Sequence, residues 1–136
     1  MIALLEGRVA AAHADHVVLY VNGIGYKVYV PMAVPRPLDE LMLLHTSFIV
    51  REDSQALYGF LTSTERDMFE LLLTCSGVGP KVAMGILSTL SVDNLRNAVA
   101  SERAELLTVV PGIGKKTAQK ILFELKDKLP RGLDAI

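Results

Sequence analysis

Two short stretches combine glycine and lysine in a spacing that suits phosphate binding. They are Gly77–Lys81 (GVGPK) and Gly112–Lys116 (GIGKK). Glycine lets a backbone turn tightly and approach a ligand closely, and the free amides at the start of a following helix attract an anion. Lysines at a helix start are electrostatically unfavourable unless a phosphate lies between them and the amides. The pattern therefore predicts that both stretches bind phosphate groups.

These stretches are two copies of one repeat, since Gly77 and Gly112 stand 35 residues apart and the neighbouring glycine, lysine, alanine, isoleucine and leucine align at the same offset. An internal repeat of this kind predicts a repeated structural unit. We interpret each copy as a helix, a glycine turn and a second helix, with Val78 or Ile113 filling the space between the helices.

DNA backbone binding is the function that this repeat favours. The alternative is two helical hairpins with glycine turns and no ligand, but the recurrence of lysine at the same offset argues against it. The second copy has Lys115 and Lys120 where the first has Pro80 and Gly85, so we expect the second to carry more of the electrostatic attraction. The residues expected to contact DNA are Gly77, Val78, Gly79, Lys81, Gly112, Ile113, Gly114, Lys115, Lys116, Thr117 and Lys120.

The charge distribution agrees with a small phosphate-binding surface rather than a uniformly basic one. The chain has 136 residues, is 51% hydrophobic and 21% charged, and has a net charge of −1. This composition suits one globular domain or two small ones and excludes a disordered chain. Residues 1–62 carry four basic and six acidic side chains, whereas residues 111–131 carry six basic and two acidic ones. Positive charge therefore concentrates in and after the second copy.

Several other classes of protein are disfavoured by the sequence. No apolar run reaches the roughly 18 residues of a membrane span, and the N-terminus lacks the basic start of a signal peptide. The single Cys75 cannot form an internal disulfide, which fits a reducing cytoplasm, and we expect it to pack in a core. His13, His16 and His45 lack metal-site spacing. We therefore expect no metal, no cofactor and no membrane contact, while a monovalent cation at the glycine turns is left open.

Residues 1–62 form the first predicted domain, an all-β one. Prolines at 31, 35 and 37 indicate an irregular connection, and residues 22–25 are predicted as a turn. Five short strands favour a closed barrel, because closure removes exposed sheet edges. We predict an OB-fold barrel, with an SH3-like barrel as the alternative from pattern alone. The predicted strands are Leu4–Ala12, His16–Val21, Tyr26–Val30, Leu41–Val50 and Gln55–Phe60.

Residues 63–136 form the second predicted domain, an all-α one. Thr62 and Glu65 have the spacing of a helix capping box. Pro80 suits the first turn of the next helix, and Ser91 should cap a third that runs to about Ala100. We further predict a short helix over Ala104–Val109, a last helix over Lys115–Leu129 and a frayed tail from Leu133 to Ile136.

The combination of motifs closely resembles the RuvA family from Met1 to about Leu129. It is carried by the two glycine hairpins together with Arg51–Gln55 (REDSQ) and Leu57–Phe60 (LYGF). The resemblance implies an OB barrel followed by tandem helix-hairpin-helix motifs, in a bacterial cytoplasmic, non-catalytic subunit that binds four-way (Holliday) junctions. It also implies a homotetramer, with an octamer left open, and work with the RuvB ATPase and RuvC resolvase in recombination and repair. DNA would be held by its phosphates, without base readout.

The acidic pair Glu52 and Asp53 has two interpretations. It lies between two predicted strands, where a solvated acidic turn is common. The resemblance implies instead an acidic pin beside the strand crossover, at the centre of a tetramer. Carboxylates there would repel phosphates and favour strand separation, while the lysines hold the arms. Arg51, beside the pair, could offset this charge or contact DNA.

The sequence departs from the family in one respect and leaves two other functions open. RuvA proteins have a third small domain that contacts RuvB, and this chain stops at Ile136; we expect such a fragment to bind junctions without coupling to the motor. A glycosylase or nuclease domain is the enzymatic alternative, but Lys81 rather than Asp follows Pro80, and Asp93 fits a helix N-terminus. A protein-binding scaffold is the third alternative.

Overall fold

The structure, a computed structural model, describes the backbone of residues 1–132 and the side chains of residues 1–129. The chain divides into two compact units, one ending at Arg66 and the next beginning at Asp67. A domain division after residue 62 stays a prediction: the first helix begins directly after that position, at Ser63, and runs across the division between Arg66 and Asp67. Within the described residues, no helix is both long enough and apolar enough to cross a membrane.

The first unit is a closed five-stranded barrel. Its strands are β1 (Leu4–Ala12), β2 (His16–Val21), β3 (Ile24–Tyr29), β4 (Leu41–Val50) and β5 (Gln55–Phe60). Around the barrel they follow the order β1-β2-β3-β5-β4, and β1 pairs with β4 to close it. All pairs are antiparallel except β3 with β5. The prediction of a five-stranded, OB-like barrel is confirmed.

Alternation of buried and exposed residues builds the barrel core, because successive side chains in a strand point to opposite faces. Strand β1, for example, buries Leu5 and Val9 and exposes Glu6 and Arg8. The connection between β3 and β4 adds Val34. The core consists of Leu5, Val9, Val17, Leu19, Val28, Val30, Val34, Met42, Leu44 and Leu57.

The turn between β2 and β3 is tighter than predicted. Only Asn22 and Gly23 form it, with φ of 50° and 86°, and Val21 already pairs with Ile24. Two residues with positive φ suit a hairpin because their twist matches that of the flanking strands. Strand β3 therefore starts at Ile24, two residues earlier than predicted, and ends at Tyr29.

The helical part consists of α1 (Ser63–Leu73), α2 (Pro80–Thr89), α3 (Val92–Ala100), a 3₁₀ turn (Ala104–Leu106) and α4 (Lys115–Gly132). The predicted caps are present. Thr62 Oγ1 accepts a hydrogen bond from Glu65 N at 3.2 Å and donates one to the Glu65 carboxylate at 2.9 Å. Ser91 Oγ accepts one from Asn94 N at 3.0 Å.

Two predicted helix ends were wrong. The short helix predicted over Ala104–Val109 is a 3₁₀ helix over Ala104–Leu106 only, and Leu106, Leu107 and Thr108 donate backbone bonds three residues back. Helix α4 continues to Gly132 rather than ending at Leu129, since proline breaks a backbone hydrogen bond but its φ is compatible with a helix. The predicted frayed tail, residues 133–136, lies outside the described residues.

Candidate nucleic-acid interface

The first hairpin lies between α1 and α2. Gly77 has φ of +77°, a left-handed conformation that glycine adopts without strain. Val78 is buried, and its N–H donates to Cys75 O at 3.2 Å. Gly79 is extended, with φ −96° and ψ −180°, and immediately precedes Pro80 at the start of α2. The chain thus reverses in a short turn that is plugged by one apolar side chain.

The second hairpin repeats this geometry before α4. Gly112 has φ of +88°, Ile113 is buried, and its N–H donates to Val110 O at 3.1 Å. The first backbone bonds of the two following helices also match. Ala83 N donates to Gly79 O at 3.0 Å, and Ala118 N donates to Gly114 O at 2.9 Å. The sequence repeat is therefore a structural repeat, as two helix-hairpin-helix units require.

The second glycine of each turn, Gly79 or Gly114, needs no special backbone conformation and fills no crowded space. Neither residue has positive φ, and a Cβ built on either would meet no atom within 4 Å beyond the two residues adjacent in the chain. Folding therefore does not demand glycine at these positions. What glycine does provide is an uncovered backbone at the start of a helix, to which a phosphate could come close.

The helices that follow the hairpins have uncompensated positive ends. Helices α1 and α3 carry an acidic residue in the first turn, Glu65 and Asp93 respectively, and side-chain caps. Helix α2 has neither, and the first turn of α4 has no acidic residue either. The first amides of such helices have no intrahelical partner and carry partial positive charge. The two helices that begin at the glycine turns are thus the two that are open to an anion.

Four lysines surround these helix ends and remain available. Lys81, Lys115, Lys116 and Lys120 are all exposed, and none forms a salt bridge within the described part of the chain. Such charges can turn towards a phosphate at the amides with no internal ion pair to break. Thr117, also exposed in the first turn of α4, adds a hydroxyl donor.

The basic cluster is smaller than its residue count indicated. Lys126 forms a salt bridge with Glu102, and Lys128 Nζ donates to Thr74 O and Oγ1 at 2.9 and 3.1 Å. Both lysines therefore have partners inside the protein. Among the described basic residues of this cluster, those that form neither a salt bridge nor a side-chain hydrogen bond are Lys115, Lys116 and Lys120, in the first turns of α4.

A second contact from α4 to the first hairpin was missed by sequence reasoning. The Glu124 carboxylate accepts hydrogen bonds from Ser76 N at 2.9 Å and Ser76 Oγ at 2.8 Å. These bonds, followed by Lys128 and Lys120, hold the pKa of Glu124 below its usual range. The available signal was the i, i+4 spacing of Glu124 and Lys128, which places both on one face of the helix.

Cys75 lies between Thr74 and Ser76, and its side chain is buried. Burial raises the pKa of the thiol, partly offset by the charge of Lys128. The thiolate is the reactive form, so burial makes this cysteine less reactive. This agrees with its predicted place in a core.

The acidic pair stands at the tip of the β4–β5 hairpin of the barrel. Glu52 and Asp53 are exposed bend residues, and Arg51 N donates to Ser54 O at 2.8 Å across the base of the turn. Neither carboxylate forms a salt bridge within the described residues. Nearby, burial and Tyr29 raise the pKa of Tyr58, opposed by Arg51. The tip therefore presents two free negative charges.

Two of the three histidines, His13 and His16, interact with neighbouring side chains. His13 and His16 stack with ring centroids 4.4 Å apart, and His16 Nδ1 lies 2.7 Å from Asp15 Oδ1. Within the described residues, His, Cys, Asp and Glu side chains form no group of three or more that could hold a metal ion.

A closed OB-like barrel followed by two such helix-hairpin-helix units places the chain in the class of helix-hairpin-helix proteins. Residues 69–127 match the family described as SAM-like Helix-hairpin-helix tandem, and residues 1–59 match the RuvA N terminal domain. The chain belongs to the RuvA family.

Curated relatives carry the same family name. The protein named "Holliday junction branch migration complex subunit RuvA" from Pseudomonas fluorescens is 47% identical over 131 residues, which cover 94% of this chain and 65% of the relative. Its counterpart from Pelobacter propionicus is 47% identical over 131 residues, which cover 95% of this chain and 66% of that relative. The protein of the same name from Beutenbergia cavernae is 49% identical over 134 residues, which cover 95% of this chain and 66% of that relative. The chain thus spans slightly less than two thirds of the length of these relatives.

Proposed function

We propose that this chain binds four-way DNA junctions through their phosphates and holds them open and square, the form in which RuvB drives branch migration in recombination and repair. The observation that carries the proposal is the pair of hairpins, each joining an uncovered glycine backbone to an uncompensated helix start. The relatives are named as subunits of a Holliday junction branch migration complex, which supports the junction as the substrate.

In this proposal the two hairpins of one chain hold one DNA arm. Amides after Gly79 and Gly114 donate to phosphate oxygens, and Lys81 and Lys116 neutralise them. Lys115, Thr117 and Lys120 extend the second contact along α4. Contacts of this kind position DNA without reading its bases. Specificity for a junction must then come from the arrangement of several copies around its centre.

The acidic pair opposes the lysines at that centre. Glu52 and Asp53 of each chain would lie beside the crossover, where their charges repel phosphates and favour separated strands. The pair's exposure and lack of salt-bridge partners within the described residues support this role. Attraction along the arms and repulsion at the centre together keep the junction open without fixing its position.

Self-association into a tetramer completes the proposal. Leu4, Leu41 and Leu43 lie on the outer face of the paired strands β1 and β4, 53%, 75% and 44% exposed. Adjacent exposed leucines are typical of a surface that another protein covers, and here a second copy is the proposed partner. Light scattering of the wild-type chain and of the Leu41→Glu, Leu43→Glu variant checks this: a tetramer that becomes smaller supports it.

In the proposed complex, the catalytic steps belong to the partner proteins. The chain is a non-catalytic subunit of the bacterial cytoplasm, and strand movement is driven by the RuvB ATPase, with RuvC resolving the junction. The contribution of this chain is to bind the junction and to hold it in its open shape. The names of the relatives, which describe a complex subunit, support a role of this kind.

Gel shifts on a four-way junction and on linear duplex of equal mass test the function. We expect tighter binding to the junction and a steep decrease in affinity with salt. The Lys81→Glu, Lys116→Glu variant should lose binding at moderate salt. Equal affinity for both DNAs would contradict junction specificity, and strand release from damaged duplex would favour a repair enzyme.

The acidic pair has its own test, with the lysine variant as its reference. Glu52→Gln with Asp53→Asn should leave junction binding unchanged or tighter, because repulsion of phosphates is removed. Junction selectivity or the rate of branch migration should change instead. If this variant weakened binding as much as the lysine variant does, the pair could not be repelling DNA.

A further inference from the structure

Helix α4 holds the first hairpin by two side chains that lie one turn apart. Glu124 accepts from the backbone N–H and the hydroxyl of Ser76. Lys128 donates to the backbone carbonyl and the hydroxyl of Thr74. We call Glu124, Lys128 and the segment Thr74–Ser76 the bracket. It joins the residues directly before Gly77 to the helix that starts at the second hairpin.

The chemistry of the bracket is complementary at each position. A carboxylate can only accept, and it meets an N–H and a hydroxyl; an ammonium can only donate, and it meets a carbonyl and a hydroxyl. Hydrogen bonds to charged groups are shorter and stronger than neutral ones. Exchanging the two side chains would leave both backbone groups facing the wrong partner. The bracket therefore defines one seating of the segment on α4.

Within the part of the chain whose side chains are described, the second hairpin has no equivalent arrangement. Pro111 stands where the first hairpin has Ser76, and Val109 stands where it has Thr74. Proline has no N–H to donate, and valine has no hydroxyl. The bracket is thus a feature of the first hairpin alone, although the turns themselves have the same geometry.

Helix α4 connects the two phosphate sites. Its first turn carries Lys115 and Lys116 at the second site, and Glu124 lies nine residues after Lys115, which is about 14 Å along a helix. An α-helix is stiff over that length, whereas two turns joined only by loops can shift relative to one another. A fixed spacing matters because both hairpins must meet phosphates of the same duplex arm.

We propose that Glu124, supported by Lys128, is a positioning residue that sets the first phosphate-binding hairpin in register with the second. This inference rests on the proposed function. Two linked sites bind far more tightly than either alone only when their geometry permits simultaneous engagement. The bracket supplies that geometry before DNA arrives. Glu124 itself does not contact the phosphate.

A simpler interpretation of Glu124 predicts the opposite change in junction affinity. If Glu124 were only a negative charge near the DNA, its removal would tighten binding. With the bracket, Glu124→Ala weakens junction binding by about 10- to 100-fold, because the first hairpin no longer engages together with the second. Glu124→Gln restores most of the affinity, since its amide can accept from Ser76 N and donate to Ser76 Oγ without the charge.

The measurement is the junction affinity of the full chain across a series of salt concentrations, with circular dichroism and a thermal midpoint for every variant. Lys81→Ala should reduce the slope of log affinity against log salt in the wild type, by about 0.9 for each phosphate that is no longer neutralised. In the Glu124→Ala background the same substitution should change the slope little, because Lys81 no longer reaches its phosphate there. This non-additivity would not arise from general destabilisation.

Asp127→Ala is the matched control, since it removes the same charge from an exposed position on the same helix. It should leave the effect of Lys81→Ala intact. Tighter binding by Glu124→Ala, an equal defect in Glu124→Gln, or full additivity with Lys81→Ala would each overturn the positioning role. Failure of the proposed function is separate: in that case the Lys81→Glu, Lys116→Glu variant would bind junctions normally.

Discussion

The two hairpins have the same turn but different support. The first follows an 11-residue α-helix and is held by Glu124 and Lys128 from α4. The second follows a three-residue 3₁₀ turn and has Pro111 in its turn, whose ring restricts φ without any partner. Ser76 and Pro111 occupy the same position in the two copies. Hydrogen bonds to Glu124 hold this position in the first copy, and the proline ring stiffens it in the second. The two copies share the geometry of the turn, while the contacts that hold the turn differ.

The copies also divide the electrostatic work unequally. The first helix start offers Lys81 beside Pro80, whereas the second offers Lys115, Lys116 and Lys120. Lys126 and Lys128 add charge to this region by sequence but are bound within the protein. The second hairpin should therefore contribute more of the salt-dependent affinity, and the first more of the close backbone contact.

Reversing one lysine in each copy tests this division and should have the largest effect. Lys116→Glu should weaken junction binding on the order of tenfold more than Lys81→Glu does, because it also repels phosphates from Lys115 and Lys120. Fluorescence anisotropy at fixed salt measures both. Equal losses would mean that the two hairpins share the charge contacts evenly.

Substitution of the glycine before each of the two helices should weaken junction binding without weakening the fold. Gly79→Ser or Gly114→Ser adds a side chain where nothing lies within 4 Å, and serine is a good N-cap. The free energy of unfolding should stay within about 0.5 kcal/mol of wild type, or rise. Junction affinity should fall clearly, because the new oxygen occupies the amides and the side chain blocks close approach.

The turn glycines provide the control for those variants. Gly77→Ala and Gly112→Ala place a Cβ at φ of +77° and +88°, which costs about 1–2 kcal/mol for an L-residue. Urea unfolding should detect that loss in both copies. If Gly79→Ser and Gly114→Ser kept full junction affinity, the uncovered backbone would have no part in binding.

The bracket makes the first hairpin sensitive to acid through Glu124, and this is the smallest expected effect. Hydrogen bonds from Ser76 lower the pKa of Glu124 in the folded protein. Its contribution to stability is then fully present above the unfolded value of about 4.3 and is lost as pH falls through the lower folded value. The difference in thermal midpoint between wild type and Glu124→Gln should be constant at neutral pH and shrink below about pH 4. If the difference in thermal midpoint grew on acidification, the pKa of Glu124 could not be lowered by folding.

Local patterns accounted for most of the barrel. Strands β1, β2, β4 and β5 have their predicted bounds, because β-branched alternation and the turns between them are local signals. Strand β3 was misplaced by two residues at its start, since a four-residue turn and a two-residue Asn-Gly turn could not be told apart without the Val21–Ile24 pairing. The end of α4 was misplaced because proline disfavours a helix interior but has a helix-compatible φ. The segment Ala104–Val109 was misjudged because apolar spacing does not show that its backbone bonds run three residues back.

Residue type and short spacing were enough to establish the repeat, the glycine turns, the helix starts and the position of each lysine. They also carried the family resemblance, which the relatives confirm. Which lysines remain free, and which residue holds the first hairpin, emerged only once the chain was folded. Lys126 meets Glu102, and Glu124 meets Ser76, across 24 and 48 residues of chain. Contacts over such separations depend on how the helices pack, and no local pattern encodes them.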